Sequence, residues 1–155
     1  MELNTKLFGT IEYARESIIS FDEGLIGISD KKDFILIEKE DFFPFNYLQS
    51  VEDPSFTLVI ISPFFVEKEY KFDIHKDDLS TIDVAEAKDF IISAIVVFSD
   101  KVEDITVNLK APLIINIESK KGKQILLQNN DYGVTEPLVK ASTLDKMETE
   151  DKDKE

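Results

Sequence analysis

The chain carries one histidine, His75, and no cysteine. A Ser-His-Asp relay would have to run through His75. That residue stands between Ile74 and Lys76, and no G-x-S-x-G motif accompanies it. His75 is therefore expected to be exposed and non-catalytic. The lack of cysteine excludes disulfides, thiolate nucleophiles and Cys-ligated zinc or iron–sulfur centres. Acids are abundant, but Asp30, Asp33, Asp77, Asp78 and Asp100 do not have the spacing of an EF-hand loop. Neither glycine signature for phosphate binding occurs. No metal site and no cofactor are expected. A carboxylate pair assembled in space could hydrolyse a glycoside, so a small acidic enzyme acting on a carbohydrate or other small molecule is the alternative reading. The absence of tryptophan weighs against a sugar cleft.

Two asparagines are the other polar groups of note. Ile105 to Glu118 reads I-T-V-N-L-K-A-P-L-I-I-N-I-E. Ile105, Val107 and Leu109 alternate with Thr106, Asn108 and Lys110, as in a strand with one apolar face. Pro112 cannot donate to a ladder, so Ala111-Pro112 is expected to be a turn, bend or bulge. Leu113 to Ile117 is apolar on both sides apart from Asn116, which predicts burial on both faces. Asn108 and Asn116 thus flank the break in apolar surroundings. If buried, each needs hydrogen-bond partners. Asn116 is expected to serve the structure, and Asn108 to be reachable by a partner.

The elements that must position these residues are nearly all strands. Ser17 to Phe21, Phe34 to Glu38, Phe45 to Ser50, Phe56 to Ser62 and Phe90 to Phe98 are short runs of strand formers bounded by turn residues. Lys6 to Tyr13 alternates loosely, and Glu67 to Asp73 alternates with Tyr70 and Phe72 between charges. Asp22-Glu23-Gly24 is a turn with Gly24 available for positive φ. Lys120 to Lys123 is expected to be a hairpin turn, with Gln124 to Leu127 pairing back. Asp77 is an expected N-cap for one helical turn, and Ala85 to Lys88 another short helical piece. About nine or ten short strands with one or two helical turns indicate an all-β, antiparallel barrel or sandwich.

Length predicts one domain able to hold a core without staples. From Lys140 the character changes. Asp145 to Glu155 holds six acids, three lysines and no aromatic residue. Residues 1–139 are therefore expected to form the domain, and 140–155 a disordered acidic tail. The N-terminus lacks the pattern of a secretory signal, and no apolar run approaches the ~18 residues of a membrane span. A cytoplasmic protein is expected. With 18 basic and 32 acidic residues the net charge is −14. Such a surface repels nucleic-acid phosphates and anionic lipid and favours a basic protein partner.

Several phrases together resemble the flagellar assembly factor FliW family. They are G-T-I-E-Y from Gly9, F-D-E-G-L-I-G from Phe21, Y-L-Q-S-V-E-D-P from Tyr47, I-T-V-N-L-K-A-P-L-I-I-N from Ile105, and Gln124 in K-Q-I-L-L. They run in order from Leu3 to about Leu138. The resemblance implies a non-enzymatic regulator with a partly open, antiparallel β-barrel-like fold. It implies two partners: the translational regulator CsrA, a small RNA-binding dimer that the protein would antagonise, and flagellin. Flagellin accumulating in the cytoplasm would then occupy the protein and free the repressor. A chaperone for flagellin alone is a simpler variant. The candidate partner-binding residues are Gln49, Ser50, Glu52 and Asp53 in one phrase, and Asn108, Lys110 and Pro112 in another.

Overall fold

In a computed structural model, residues 1–84 and 90–139 are described. The helical piece expected over Ala85 to Lys88 and the tail expected from residue 140 lie outside them. Ten strands follow in order: β1 (Glu2–Thr5), β2 (Gly9–Glu12), β3 (Ile18–Ser20), β4 (Asp33–Ile37), β5 (Phe45–Ser50), β6 (Thr57–Ile61), β7 (Ile91–Val97), β8 (Thr106–Asn116), β9 (Lys121–Gln124) and β10 (Glu136–Pro137). One short helix, α1 (Lys76–Thr81), and several 3-10 turns connect them.

Strands β3 to β9 close into a seven-stranded barrel, in the order β8-β7-β6-β5-β4-β3-β9 and back to β8. Neighbours are antiparallel except at one seam. There β3 and β9 run parallel and share a single residue pair, Ser20 opposite Lys121. The Ser20 N–H donates to the Lys120 carbonyl at 2.9 Å. The expected all-β, antiparallel, barrel-like class is what the chain adopts, and this thin seam is where the barrel is least tightly closed. The hairpin β1–β2 stands apart as its own two-stranded sheet.

Alternation along each strand divides the apolar residues between two sides. The barrel interior holds Ile19, Phe21, Phe34, Leu48, Ile60, Leu113 and Ile115, all at most 1% exposed. On β7, Ile95 packs against this inner core while Ala94 and Val96 join a second cluster outside it. The outer cluster, with Ile61, Val107 and Leu109, is covered by Tyr70, Phe72, Tyr132 and Leu138. A third cluster sets Ile114, Ile125 and Leu127 against Ile82 and Leu79 at the end of α1. Leu113 to Asn116 is buried on both faces as expected, within an antiparallel barrel. Ile117, also expected to be buried, is 39% exposed because the strand ends at Asn116 and Ile117 belongs to the turn.

The structure differs from the sequence reading at four places. Glu67 to Asp73 forms no strand; the neighbouring strands already pair, and Tyr70 and Phe72 instead lie over the outer cluster. His75, exposed, occupies the N-cap position of α1, and Asp77 sits inside the first turn, where an acid suits the helix dipole. The hairpin turn expected over Lys120 to Lys123 lies earlier, at Ile117 to Lys120, and Gly122 is a strand residue opposite Ile115. Finally, β8 is one strand of eleven residues that carries the expected irregularity as a bulge. Ser93 faces Leu113, but Ile95 faces Asn108. Two residues of advance on β7 therefore correspond to five on β8, so residues 109–112 bow out around Pro112. No helix of the described residues is long and apolar enough to cross a membrane.

Candidate functional site

The β5–β6 turn carries the first group of candidate residues. Gln49, fully buried, donates from Nε2 to the carbonyls of Ser50 (3.1 Å), Pro54 (3.2 Å) and Phe56 (3.1 Å). Its Oε1 accepts from the Thr57 hydroxyl at 2.6 Å. Ser50, also fully buried, accepts the Asp53 N–H on Oγ at 3.0 Å. These two side chains are spent on the turn and sit beneath the surface. Glu52 is exposed, and its carboxylate accepts the N–H groups of Lys32 and Asp33 at 3.1 and 3.2 Å. Asp53 caps the turn by accepting the Ser55 hydroxyl (2.7 Å) and N–H (3.0 Å). Those bonds hold its carboxyl below the usual carboxylate range.

The β8 bulge carries the second group. Asn108 is half-buried, and its Oδ1 accepts the N–H groups of Lys110 and Ala111 at 3.2 and 3.1 Å. That pattern supplies acceptors to backbone that the bulge removes from the ladder. Lys110 reaches Asn130 Oδ1 at 3.2 Å. Pro112 is buried, and its carbonyl accepts the Ile125 N–H at 2.9 Å. Asn116, 5% exposed, donates to the Ile82 carbonyl at 2.8 Å and accepts the Glu118 N–H at 3.0 Å. Strands β6 and β7 lie between the two groups, so the barrel does not bring them into one site.

Polar side chains also tie the family-like phrases to one another. Gln124 Oε1 accepts the Ile26 N–H at 2.7 Å, and its Nε2 donates to the Ala111 carbonyl at 3.0 Å. One side chain thus joins the turn after Phe21 to the bulge in β8. Within that turn Gly24 and Gly27 have φ of 73° and 80°, which glycine adopts without strain. The β1–β2 turn reaches the β5–β6 turn through the Lys6 N–H, which donates to the Pro54 carbonyl at 3.0 Å.

What the sequence reading missed lies outside these joints. Phe43 and Phe65 are 73% and 56% exposed, yet their rings meet edge to face with centroids 5.5 Å apart. Nearby on the chain, Phe45 meets the exposed Phe98 at 5.1 Å. Two doublets beside prolines, F-F-P at Phe42 and P-F-F at Pro63, carried the signal. Adjacent side chains point apart, so a doublet can bury only one ring well. Phe42 packs on Phe8 and Tyr47; Phe43 is left outside.

Architecture and chemistry together define a small acidic β-barrel whose distinguished polar residues, among those described, build joints between its turns and strands. The particular family follows from comparison. The FliW protein profile matches residues 2–138, and the chain belongs to that family. It is similar to proteins named flagellar assembly factor FliW from Caldanaerobacter subterraneus subsp. tengcongensis and Clostridium botulinum strain Langeland. The first is 39% identical over 140 residues, covering 90% of this chain and 93% of that protein. The second is 37% identical over 140 residues, covering 90% and 98%. A crystal structure of the flagellar assembly factor FliW superposes with a TM-score of 0.84 at 32% identity, over 90% of this chain and 98% of the other.

Proposed function

We propose that this protein is a non-enzymatic, cytoplasmic partner-switching regulator. It binds and antagonises the translational regulator CsrA, and it binds flagellin, so that flagellin translation follows flagellin secretion. The observation that carries this reading is the family match along residues 2–138, at compatible length, with relatives named as flagellar assembly factors. The net charge of −14 supports a basic protein partner and steers its approach. The partner does the nucleic-acid binding; this chain makes no direct contact with nucleic acid or membrane.

Calorimetric titration with purified CsrA and with purified flagellin tests the reading. Binding of each is expected, with flagellin lowering the amount of CsrA retained. The CsrA association rate in stopped flow should fall as salt rises, because screening acts over ~8 Å at physiological ionic strength. Flagellin binding alone would reduce the protein to a chaperone. Binding of neither would overturn the reading.

A further inference from the structure

The exposed phenylalanines are held in a way that random surface residues are not. Phe43 and Phe65 come from different connections, the one before β5 and the 3-10 turn Pro63–Phe65 after β6. Their edge-to-face contact fixes both rings although each is more than half exposed. Phe64, 46% exposed, leans on the buried Tyr70 at 6.2 Å. Tyr70 in turn is anchored, 3% exposed, with its hydroxyl donating to the Leu109 carbonyl at 2.7 Å. Rigid aromatic rings lose little conformational freedom on binding, and contiguous exposed apolar surface marks an interaction site.

The surroundings select the kind of partner. Beside Phe65 runs a groove of about 520 Å³ lined by Phe65, Val66, Leu138 and Val139 together with Glu67, Lys68 and Glu69. Beside Phe43 stand the exposed Glu40 and Asp41. Glu40, Asp41 and Glu69 therefore flank the aromatic pair against two lysines, Lys39 and Lys68. One of these, Lys39, lies over the rings of Phe8 and Phe42 at 5.5 and 6.0 Å. An apolar centre with a negative rim is complementary to apolar anchors flanked by positive charge.

We propose that the Phe43–Phe65 surface and the adjoining groove form a docking site for a short amphipathic segment of a protein partner, apolar on one side and rich in lysine or arginine at its flanks. Only the partner's identity rests on the function proposed above; the surface chemistry does not.

The test uses the full chain and two synthetic helical peptides of about 16 residues, one of leucine and lysine and one of leucine and glutamate. The leucine–lysine peptide should bind and the leucine–glutamate peptide should not. The double variant Phe43→Ser/Phe65→Ser should weaken that binding about tenfold or more. Its charge is unchanged, and its melting temperature should match that of the unsubstituted protein. Unweakened binding in the variant, absence of binding to the unsubstituted protein, or equal binding of both peptides would overturn the site. So would sedimentation showing a dimer that the double variant dissociates, which would make a second copy the occupant. A peptide that binds only after residues 140–155 are removed would assign the groove to the chain's own C-terminal segment and likewise overturn it. Titrating the double variant with CsrA and flagellin then names the partner. If the peptide results hold while the unsubstituted protein binds neither, the surface stands and the functional reading falls.

Discussion

The inside and the outside of the barrel are both apolar, but they are closed by different means. The interior is filled by the strands' own side chains, from Ile19 and Phe34 to Leu113 and Ile115. The outer clusters are roofed by connections: residues Tyr70 and Phe72, Tyr132 and Leu138 over one cluster, α1 over another. The interior answers only to packing, so its residues are legible from strand patterning. The outer roof is irregular chain, and where it leaves off, at Phe43 and Phe65, apolar surface faces water. The same barrel wall thus serves as core where it is roofed and as candidate recognition surface beside the edge of the roof.

The sharpest way to break this contrast is at the inner core. Phe34 is fully buried and meets Phe21 edge to face at 5.7 Å. Phe34→Ala should lower stability by about 3–5 kcal/mol in denaturant unfolding, while Phe43→Ser alone leaves stability near its starting value. A similar loss in both would show that Phe43 belongs to the core. Next is Gly122, whose substitution overfills the interior rather than emptying it. A Cβ at Gly122 would lie 2.5 Å from Cε1 of the buried Phe21 ring. Gly122→Ala should therefore cost about 1–3 kcal/mol, and Phe21→Leu in the same chain should restore part of it.

Smaller effects separate the two asparagines. Asn116→Ala leaves the Ile82 carbonyl and the Glu118 N–H without their partner, and should cost about 2 kcal/mol. Asn108→Ala, in a half-buried bulge that water can enter, should cost about 1 kcal/mol. Thermal unfolding beside titration with each partner checks both. A changed affinity with unchanged stability for Asn108→Ala would move that residue from joint to binding surface.

The smallest effect is electrostatic. Lys123 bridges Asp78 at 2.7 Å and Glu23 at 3.2 Å. Its hydrogen bond to Asp78 holds its ammonium pKa above the ordinary value of 10.5. Stability from a raised lysine is fully present below the unfolded value and is lost as pH rises through the folded one. Lys123→Met should therefore cost about 0.5 kcal/mol at neutral pH, and the gap should close only above about pH 10.5. A constant gap up to pH 11 would place the loss in packing instead.

Which parts were legible follows the same division. Phe45 to Ser50 could be read residue for residue because Pro44 and Asp53-Pro54 punctuate an aromatic-rich run. Pro112 announced the β8 bulge, though not that the strand would continue through it, because the continuation depends on β9 pairing beyond the bulge. Gly122 read as a turn glycine; it is a glycine because Phe21 lies over it, a contact about a hundred positions distant in sequence. Gln49 and Ser50 look like exposed polar residues at the end of a strand, and only the fold shows that the following turn closes over them. Local chemistry cannot distinguish a polar side chain that serves the backbone from one that meets a partner.

The closed ring of strands limits how a partner can be recognised. Binding by strand addition needs an unpaired edge. Strands β3 to β9 each have a neighbour on both sides. Among the described residues, that leaves the β1–β2 hairpin, the two-residue β10 and the β3–β9 seam with its single residue pair to offer one. Away from that seam, recognition on the barrel must therefore be written in side chains, not in main-chain hydrogen bonds. A surface of that kind can change its specificity one residue at a time while the backbone beneath it stays the same.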